Sequence, residues 1–452
     1  MHPRLRPVVK AYDVRGRVPD QLDTTIARAL GEAFADEVGL SAGGRAVVGR
    51  DMRSSSPEVA AAVADGIRSR GADVVDVGLA STDMLYCASG VLDVPGVMVT
   101  ASHNPAADNG LKLCRAGARP IGLATGLAAM AEAAGPLLDR DPADLPPAVA
   151  SLEELDFLQT YAETLLRLAP VRGRRLKVVV DAGNGMAGHT VPAVLGRLDL
   201  DVVGLYLELD GTFPNHEANP LDHTTLVDLQ AAVREHGADL GLAFDGDADR
   251  CFVVDEHGDV VAPSAITALV AARHLLVEPG ATILHNVICS RAVPEIVTER
   301  GGVPVRTPVG HSLIKAEMAR TGAVFGGEHS GHFYFREFYL ADSGMLAALH
   351  VLAALAETDV SVSALMAEYS RYSASGEINS RVDDADAVID RLVRAYADHV
   401  QDRLDGLTVT ADDWWFNVRA SNTEPLLRLN VEGADPATME RVRDEVLAAI
   451  RA

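Results

Sequence analysis

The chain is poor in cysteine, lysine, aromatic side chains and long apolar runs, and each shortage closes off a class of function. Its four cysteines, Cys87, Cys114, Cys251 and Cys289, are scattered, with no CxxC pair. Neither a zinc knuckle nor a redox couple is indicated, and free thiols in a reducing compartment are expected. No apolar run is long enough to span a bilayer. The opening MHPRLRPVVKAYDVRG lacks an apolar signal core, so a soluble, cytoplasmic protein is expected. Positive charge is scarce. Lys and Arg number 40 against 64 Asp and Glu, giving a formal net charge of −24 and a pI of about 4.9. That balance disfavours nucleic acid or an anionic membrane as a general partner, and leaves any anionic substrate to local basic residues. Lysine is rare enough that Lys10, Lys112 and Lys315 stand out in their motifs. The DxDxT pattern of aspartyl-phosphate enzymes is also missing, which disfavours a nucleophilic aspartate.

What is present is ample globular material. The 452 residues, 48% hydrophobic and 23% charged, suffice for about three domains. Three segments repeat one plan of strand, helix, strand, helix, strand and polar loop. The first runs from RAVVGRD to TASHNP, the second from RLKVVVDAGNG to DGDADR, and the third from ATILHNVICS to GEHSGH. The pattern predicts helices near 189–197 in the second segment and 293–300 in the third. Such alternation indicates α/β domains with parallel or mixed sheets, whose ligands gather beyond the carboxyl ends of the strands. Proline and aspartate at 136–150 read as a linker, a second break falls near 256–263, and YSASGEINS reads as turn residues opening a different piece. That C-terminal piece is read as a small α+β domain with a helix over 385–404, two strands and a closing helix from about Pro436. The expected domains are 1–150, 151–256, 257–372 and 373–452.

The polar loops carry the chemistry. In DGDADR, Asp245, Asp247 and Asp249 stand at alternate positions between apolar strands, and Arg250 follows. Carboxylates so close repel, and a hard divalent cation with oxygen ligands resolves the conflict. Arg250 adds a planar anion clamp. An EF-hand would need glycine where Arg250 stands, and helical rather than strand-like flanks. A solvated acidic loop is the plainer alternative. In TASHNP, Ser102 beside His103 is either a nucleophile or phosphate carrier, or a turn-capping serine. Lys112, in NGLK, could supply charge or a proton. In GEHSGH, Glu328, Ser330 and His332 alternate, and on extended chain they would project to one side and suit sugar hydroxyls. RASNTEP places Arg419, Ser421, Asn422 and Thr423 after a strand, as a phosphate cradle or a simple turn. Lys10, Tyr12 and Arg15 form a basic cluster near the start, and His311 and Lys315 lie in TPVGHSLIK.

Together, AYDVRG, TASHNP, DGDADR, GHSLIK, GEHSGH and RASNTEP resemble the α-D-phosphohexomutase family, in the family's order and nearly end to end. The resemblance implies four domains around a deep cleft, the first three of one α/β topology. It implies Ser102 as phosphoserine, and Mg2+ held by Ser102, Asp245, Asp247 and Asp249. Residues 419–423 would hold the phosphate that is not reacting, and Glu328 and Ser330 the sugar hydroxyls. Phospho-Ser102 would pass its group to a hexose phosphate through a bound hexose 1,6-bisphosphate, which also serves as activator. Arg250 would stabilise charge at Ser102, with His103 beside it. Lys112, Arg15, His311 and His332 are candidates for substrate contact and proton transfer, and Tyr12 for substrate contact. One departure stands out: many relatives carry a lysine where this chain has Ile288, with Arg291 nearby. GEHSGH resembles the phosphomannomutase/phosphoglucomutase branch, so interconversion of mannose 6-phosphate and mannose 1-phosphate is expected, with glucose phosphates as further substrates. Phosphoglucosamine mutase and a non-catalytic metal-dependent phosphosugar-binding protein are the alternatives. A monomer and a homodimer are both compatible with the sequence.

Overall fold

The computed structural model describes residues 1–40, 43–420 and 426–451. They form two compact units, Met1–Val261 with Ser330–Ser363, and Ala262–His329 with Ala364–Ala452.

In the first unit, the strand Arg45–Arg50 lies between two parallel neighbours, Asp73–Leu79 and Gly96–Val99. Asp108–Arg115 then runs antiparallel to Gly96–Val99, and Val14–Arg17 antiparallel to Asp108–Arg115. The same arrangement recurs in the second sheet. Leu176–Asp181 is flanked by parallel Leu200–Leu205 and Leu240–Phe244, and Cys251–Val254 pairs antiparallel with Leu240–Phe244. It recurs once more in the second unit, where Thr282–Asn286 lies between parallel Val303–Thr307 and Phe325–Gly327. The central strands AVVG, KVVV and TILH are nearly continuous apolar runs because helices cover both faces of such sheets. The threefold plan read from the sequence is therefore the architecture.

Helix packing shows how closely the sequence is fitted. The helix Thr24–Glu37 is capped by Asp23, whose side chain accepts from the Ile26 N–H, and buries Ile26, Ala27, Leu30, Ala33 and Phe34. It crosses the helix Ser56–Ser69 at two glycines. A Cβ on Gly31 would meet the Val63 carbonyl oxygen at 2.3 Å, and one on Gly66 the Arg28 carbonyl oxygen at 2.2 Å.

Several expectations are corrected. Pro136 belongs to the helix Leu127–Leu138, so the first connection begins later than 136. The strand Leu152–Glu154 pairs with Asp73–Leu79, so the first sheet reaches past residue 150. In the C-terminal piece, Ser373–Arg381 is a strand rather than a turn, because it pairs along its length with Leu426–Gly433. The helix expected over 385–404 is Ala385–Ala395; the chain then becomes the edge strand Val400–Asp402, paired with Leu407–Thr410. With Trp414–Ala420 these strands form an antiparallel sheet, and the helix Pro436–Arg451 packs Val442 and Val446 against Phe416 and Leu429. This is the expected α+β domain. Among the described residues, no helix is long and apolar enough to cross a membrane, and the four cysteines are buried thiols that form no disulfide.

Candidate active site

Four loops of the first unit meet at the carboxyl ends of their strands, following Arg45–Arg50, Gly96–Val99, Leu176–Asp181 and Leu240–Phe244. Ser102 sits in the second of these loops, buried, with φ +54°, a conformation that non-glycine residues adopt only when the surroundings hold it. Its hydroxyl donates to Asp245 Oδ2 at 2.8 Å. Arg250 Nη2 reaches the same hydroxyl at 3.3 Å, and Arg250 Nε donates to Asp245 Oδ2 at 2.9 Å.

Asp245, Asp247 and Asp249 are all fully buried, and each offers an oxygen within 4.8 Å of the others. Lys112 Nζ spans two of them, 2.6 Å from Asp247 Oδ2 and 2.5 Å from Asp249 Oδ2. Thr82 adds a hydrogen bond to Asp247 Oδ2 at 2.6 Å. Burial would raise Asp247, but Lys112 outweighs it and holds the carboxyl below the usual range. Burial would likewise lower Lys112, but Asp247 and Asp249 hold it above its ordinary value. Asp245 is pushed up by burial against the opposing effect of Arg250. Asp247 Oδ1 and Asp249 Oδ1 are buried without a hydrogen-bond partner among the described residues. Two buried carboxylate oxygens that accept no hydrogen bond, beside a third carboxylate and a serine hydroxyl, fit a divalent cation with oxygen ligands.

His103 Nδ1 lies against both Ser102 Oγ, at 3.2 Å, and Arg250 Nη2. Burial drives this imidazole well below its ordinary pKa, and Arg250 and Arg15 push it further. Arg15 donates to Asp13 Oδ2 at 2.8 Å, to Asn104 Oδ1 at 2.8 Å and to the Ala101 carbonyl at 3.3 Å, so it braces the serine loop. His332 Nε2 stands 3.6 Å from Asp249 Oδ1, and Ser330 Oγ lies 2.8 Å from His332 Nδ1. Tyr12 lies half-buried just ahead of the strand Val14–Arg17, and Lys10 is exposed, donating to the Pro7 carbonyl.

The boundary between the two compact units falls within GEHSGH. The motif is not extended as expected: the strand ends at Gly327, and Gly331 turns the chain with φ +84°. In the second unit, Glu328 is buried and accepts from Asn286 Nδ2 at 3.2 Å and from the Gly310 N–H at 3.1 Å. His311 opens the helix His311–Thr321, whose Lys315 is buried. Arg419 donates to Glu377 at 3.0 Å, while Ser421, Asn422 and Thr423 lie outside the described residues. Arg291 is held by its own neighbours. Its N–H donates to Glu432, its Nη1 to the Asp412 carbonyl at 3.0 Å, and its guanidinium lies 4.2 Å from the Tyr372 ring centroid. Ile288 is buried.

Sequence reasoning missed Arg53, which with Arg250 is one of the two largest fully buried side chains among the described residues. Its guanidinium donates to the carbonyls of Ser102, Asn104, Pro105 and Asp108 at 2.7–2.9 Å, and its Nε pairs with Asp51 Oδ2 at 3.2 Å. It also missed Thr82 on Asp247. The signal for Arg53 was present: RDMR follows a strand just as TASHNP and DGDADR do.

Four models of the phosphoglucomutase/phosphomannomutase family match in succession: α/β/α domain I over 6–133, domain II over 156–258, domain III over 263–372 and the C-terminal domain over 377–449. A phosphohexose mutase of Xanthomonas campestris is 40% identical, over 98% of this chain and 99% of its own. A phosphomannomutase of Salmonella typhimurium is 39% identical, over 98% of both chains. The crystal structure of a phosphoglucomutase/phosphomannomutase family protein from Burkholderia thailandensis, 35% identical, superposes with a TM-score of 0.89 over 100% of this chain and 98% of that one. The serine set against a buried carboxylate triad, the threefold α/β plan and these full-length likenesses agree: the chain belongs to the phosphoglucomutase/phosphomannomutase family.

Proposed function

We propose that this protein interconverts mannose 6-phosphate and mannose 1-phosphate, and glucose 6-phosphate and glucose 1-phosphate as well. The observation that carries the reading is Ser102 Oγ packed 2.8 Å from Asp245 with Arg250 on the same hydroxyl. A serine so placed is surrounded by the cations and metal-ligand oxygens that phosphoryl transfer requires. The names of the Xanthomonas and Salmonella relatives support the sugar class.

In this reading Ser102 carries a phosphoryl group. The bond from phosphorus to Ser102 Oγ breaks as a bond forms to the free hydroxyl of a bound hexose monophosphate, whose proton leaves to a base. The product is a hexose 1,6-bisphosphate, which also serves as activator. The sugar reorients and the second half-reaction returns its other phosphoryl group to Ser102, so the net change is isomerisation. Arg250 neutralises charge on Ser102 Oγ as the bond breaks. Asp245, Asp247, Asp249 and phospho-Ser102 would hold Mg2+, which when bound supplies charge neutralisation at the phosphoryl oxygens. Lys112, Arg15, His103, His311 and His332 are the candidates for proton transfer and substrate contact. Tyr12, Glu328 and Ser330 contact the sugar, and Arg419, Ser421, Asn422 and Thr423 the phosphate that is not reacting. The four-domain division, with the first break placed after the strand Leu152–Glu154 and the others at 256 and 372, belongs to the same proposal.

Intact mass before and after incubation with a hexose 1,6-bisphosphate tests the chemistry: one phosphoryl group is gained, and none in Ser102→Ala. A wild-type chain that gains nothing overturns the mechanism. Turnover of mannose, glucose and glucosamine 1-phosphates, compared side by side, tests the sugar. Activity on glucosamine phosphate alone would sink the mannose reading.

A further inference from the structure

We infer that Asp83 is a positioning residue for the aspartate loop, clasping together the starts of two helices that grip that loop from either side. The inference rests on reading the loop as the metal site. Asp83 is completely buried in the first turn of the helix Thr82–Leu92. Its three hydrogen-bond partners are all neutral hydroxyls. Ser81 Oγ donates to Oδ1 at 2.5 Å, and Tyr161 OH and Ser343 Oγ donate to Oδ2 at 2.8 Å and 2.6 Å. Ser343 is itself the cap of the helix Gly344–Ala356, accepting from the Leu346 N–H. One carboxylate thus gathers segments 78 and 260 residues away along the chain. A buried carboxylate with neutral donors alone costs stability that an apolar side chain would not. What it supplies is a fixed relation between the two helix starts.

Both helix starts touch the aspartate loop one residue from the clasp. Beside Asp83, Thr82 donates its hydroxyl to Asp247 Oδ2 at 2.6 Å and its N–H to the Asp247 carbonyl at 2.9 Å. Beside Ser343, Gly344 lies so close that a Cβ would meet the Arg250 carbonyl carbon at 2.6 Å and the Ala248 oxygen at 3.0 Å. The hydrogen bond from Thr82 occupies Asp247 Oδ2 and leaves Oδ1 as the oxygen without a partner. Asp83 therefore acts on ligand orientation through Thr82 and Gly344, and touches neither sugar nor phosphate.

Direct titration of the full chain with Mn2+, the free ion followed by electron paramagnetic resonance, tests this in Asp83→Ala, Ser343→Ala and Tyr161→Phe. In Asp83→Ala the Mn2+ affinity is expected to fall by about 10- to 100-fold, as when the outer partner of a metal ligand is removed. Smaller losses are expected in the other two. At saturating metal, KM for the hexose phosphate should stay within about twofold of wild type. Folded variants that bind Mn2+ as wild type does, with only a lowered melting temperature, overturn the inference. Should Asp83→Ala not fold, Ser343→Ala and Tyr161→Phe decide it by the same measurement, and unchanged affinity in both overturns it. A wild-type chain that binds no Mn2+ overturns the metal reading itself, so the two failures are distinguishable.

Discussion

Gly246 lies so close to Ser102 that a Cβ added to it would meet the Ser102 carbonyl oxygen at 2.4 Å. That oxygen is already engaged, accepting from Arg53 Nη2 at 2.9 Å. The glycine inside DGDADR is therefore what lets the aspartate loop and the serine loop touch. Gly246→Ala should force the loops apart, with a stability cost of about 1–3 kcal/mol from overpacking. Displacement of the reacting hydroxyl from its carboxylates should lower kcat by about 100-fold. Denaturant titration and steady-state kinetics on the purified variant check both. A variant with wild-type kcat would mean that the apposition is unnecessary.

Arg53 should tolerate no replacement, lysine included. Its planar fork serves four carbonyls of the serine loop and one carboxylate, and both Arg53 and Asp51 are fully buried. Arg53→Ala leaves Asp51 buried without its ion-pair partner, at a cost of about 3–5 kcal/mol. Arg53→Lys keeps the charge but cannot satisfy the forked geometry. Its kcat should fall at least about tenfold while KM moves little, the signature of a misplaced reacting group rather than weakened sugar binding. A lysine variant with full activity would show that charge alone suffices.

These two residues mark how far the sequence was legible. The aspartate triplet could be read because polar residues at the end of an apolar strand are conspicuous, and the strand-helix alternation placed it at the carboxyl end of a sheet; Ser102, which alone could also be a turn serine, was singled out by the resemblance of the whole motif set. Arg53 could not be ranked, because its four carbonyl partners lie 49 to 55 residues away and spacing carries no trace of them. Ser373–Arg381 read as a turn because Ser and Gly are turn formers. Pairing with Leu426–Gly433 overrides that local preference. GEHSGH read as extended because its polar residues alternate, yet Gly331 at φ +84° breaks the alternation where a side chain would resist. Thr82 and Asp83 sit in STDMLY, which reads only as a helix cap; their second role appears once Asp247 is brought beside them.

Lys112 neutralises two buried carboxylates at once, so its removal should be more costly without a divalent cation than with one. Lys112→Met retains most of the volume but takes from Asp247 and Asp249 the cation they share. A loss of about 3–5 kcal/mol is expected in chelator, the usual cost of breaking a buried ion pair. Adding Mg2+ should restore part of it, whereas wild type should gain less from the same addition. Chemical denaturation in chelator and in excess Mg2+ gives the comparison. Equal gains in the two proteins would mean that lysine and metal do not share these carboxylates.

The support of the aspartate loop from its other side should depend on pH through His216. Asp181 ends its strand and takes His216 Nε2 at 3.1 Å, while the following turn returns the Met186 N–H to the Gly246 carbonyl at 2.9 Å. Burial alone would lower the pKa of His216, but the hydrogen bond and charge of Asp181 outweigh it and raise the value above the ordinary one. The folded state therefore holds the imidazolium proton more tightly than the unfolded chain does. Its contribution to stability is complete below the unfolded value of about 6.5 and is lost as pH rises through the folded one. His216→Gln cannot charge, so the difference in stability between wild type and variant should be largest near pH 6 and shrink above it. The side chain is partly exposed, which limits the effect to about 1 kcal/mol. Urea midpoints from pH 5.5 to pH 9, in steps of about half a unit, resolve a change of that size. A constant difference across the range would mean that His216 is held by shape rather than by charge, and that the turn beneath Gly246 is indifferent to protonation.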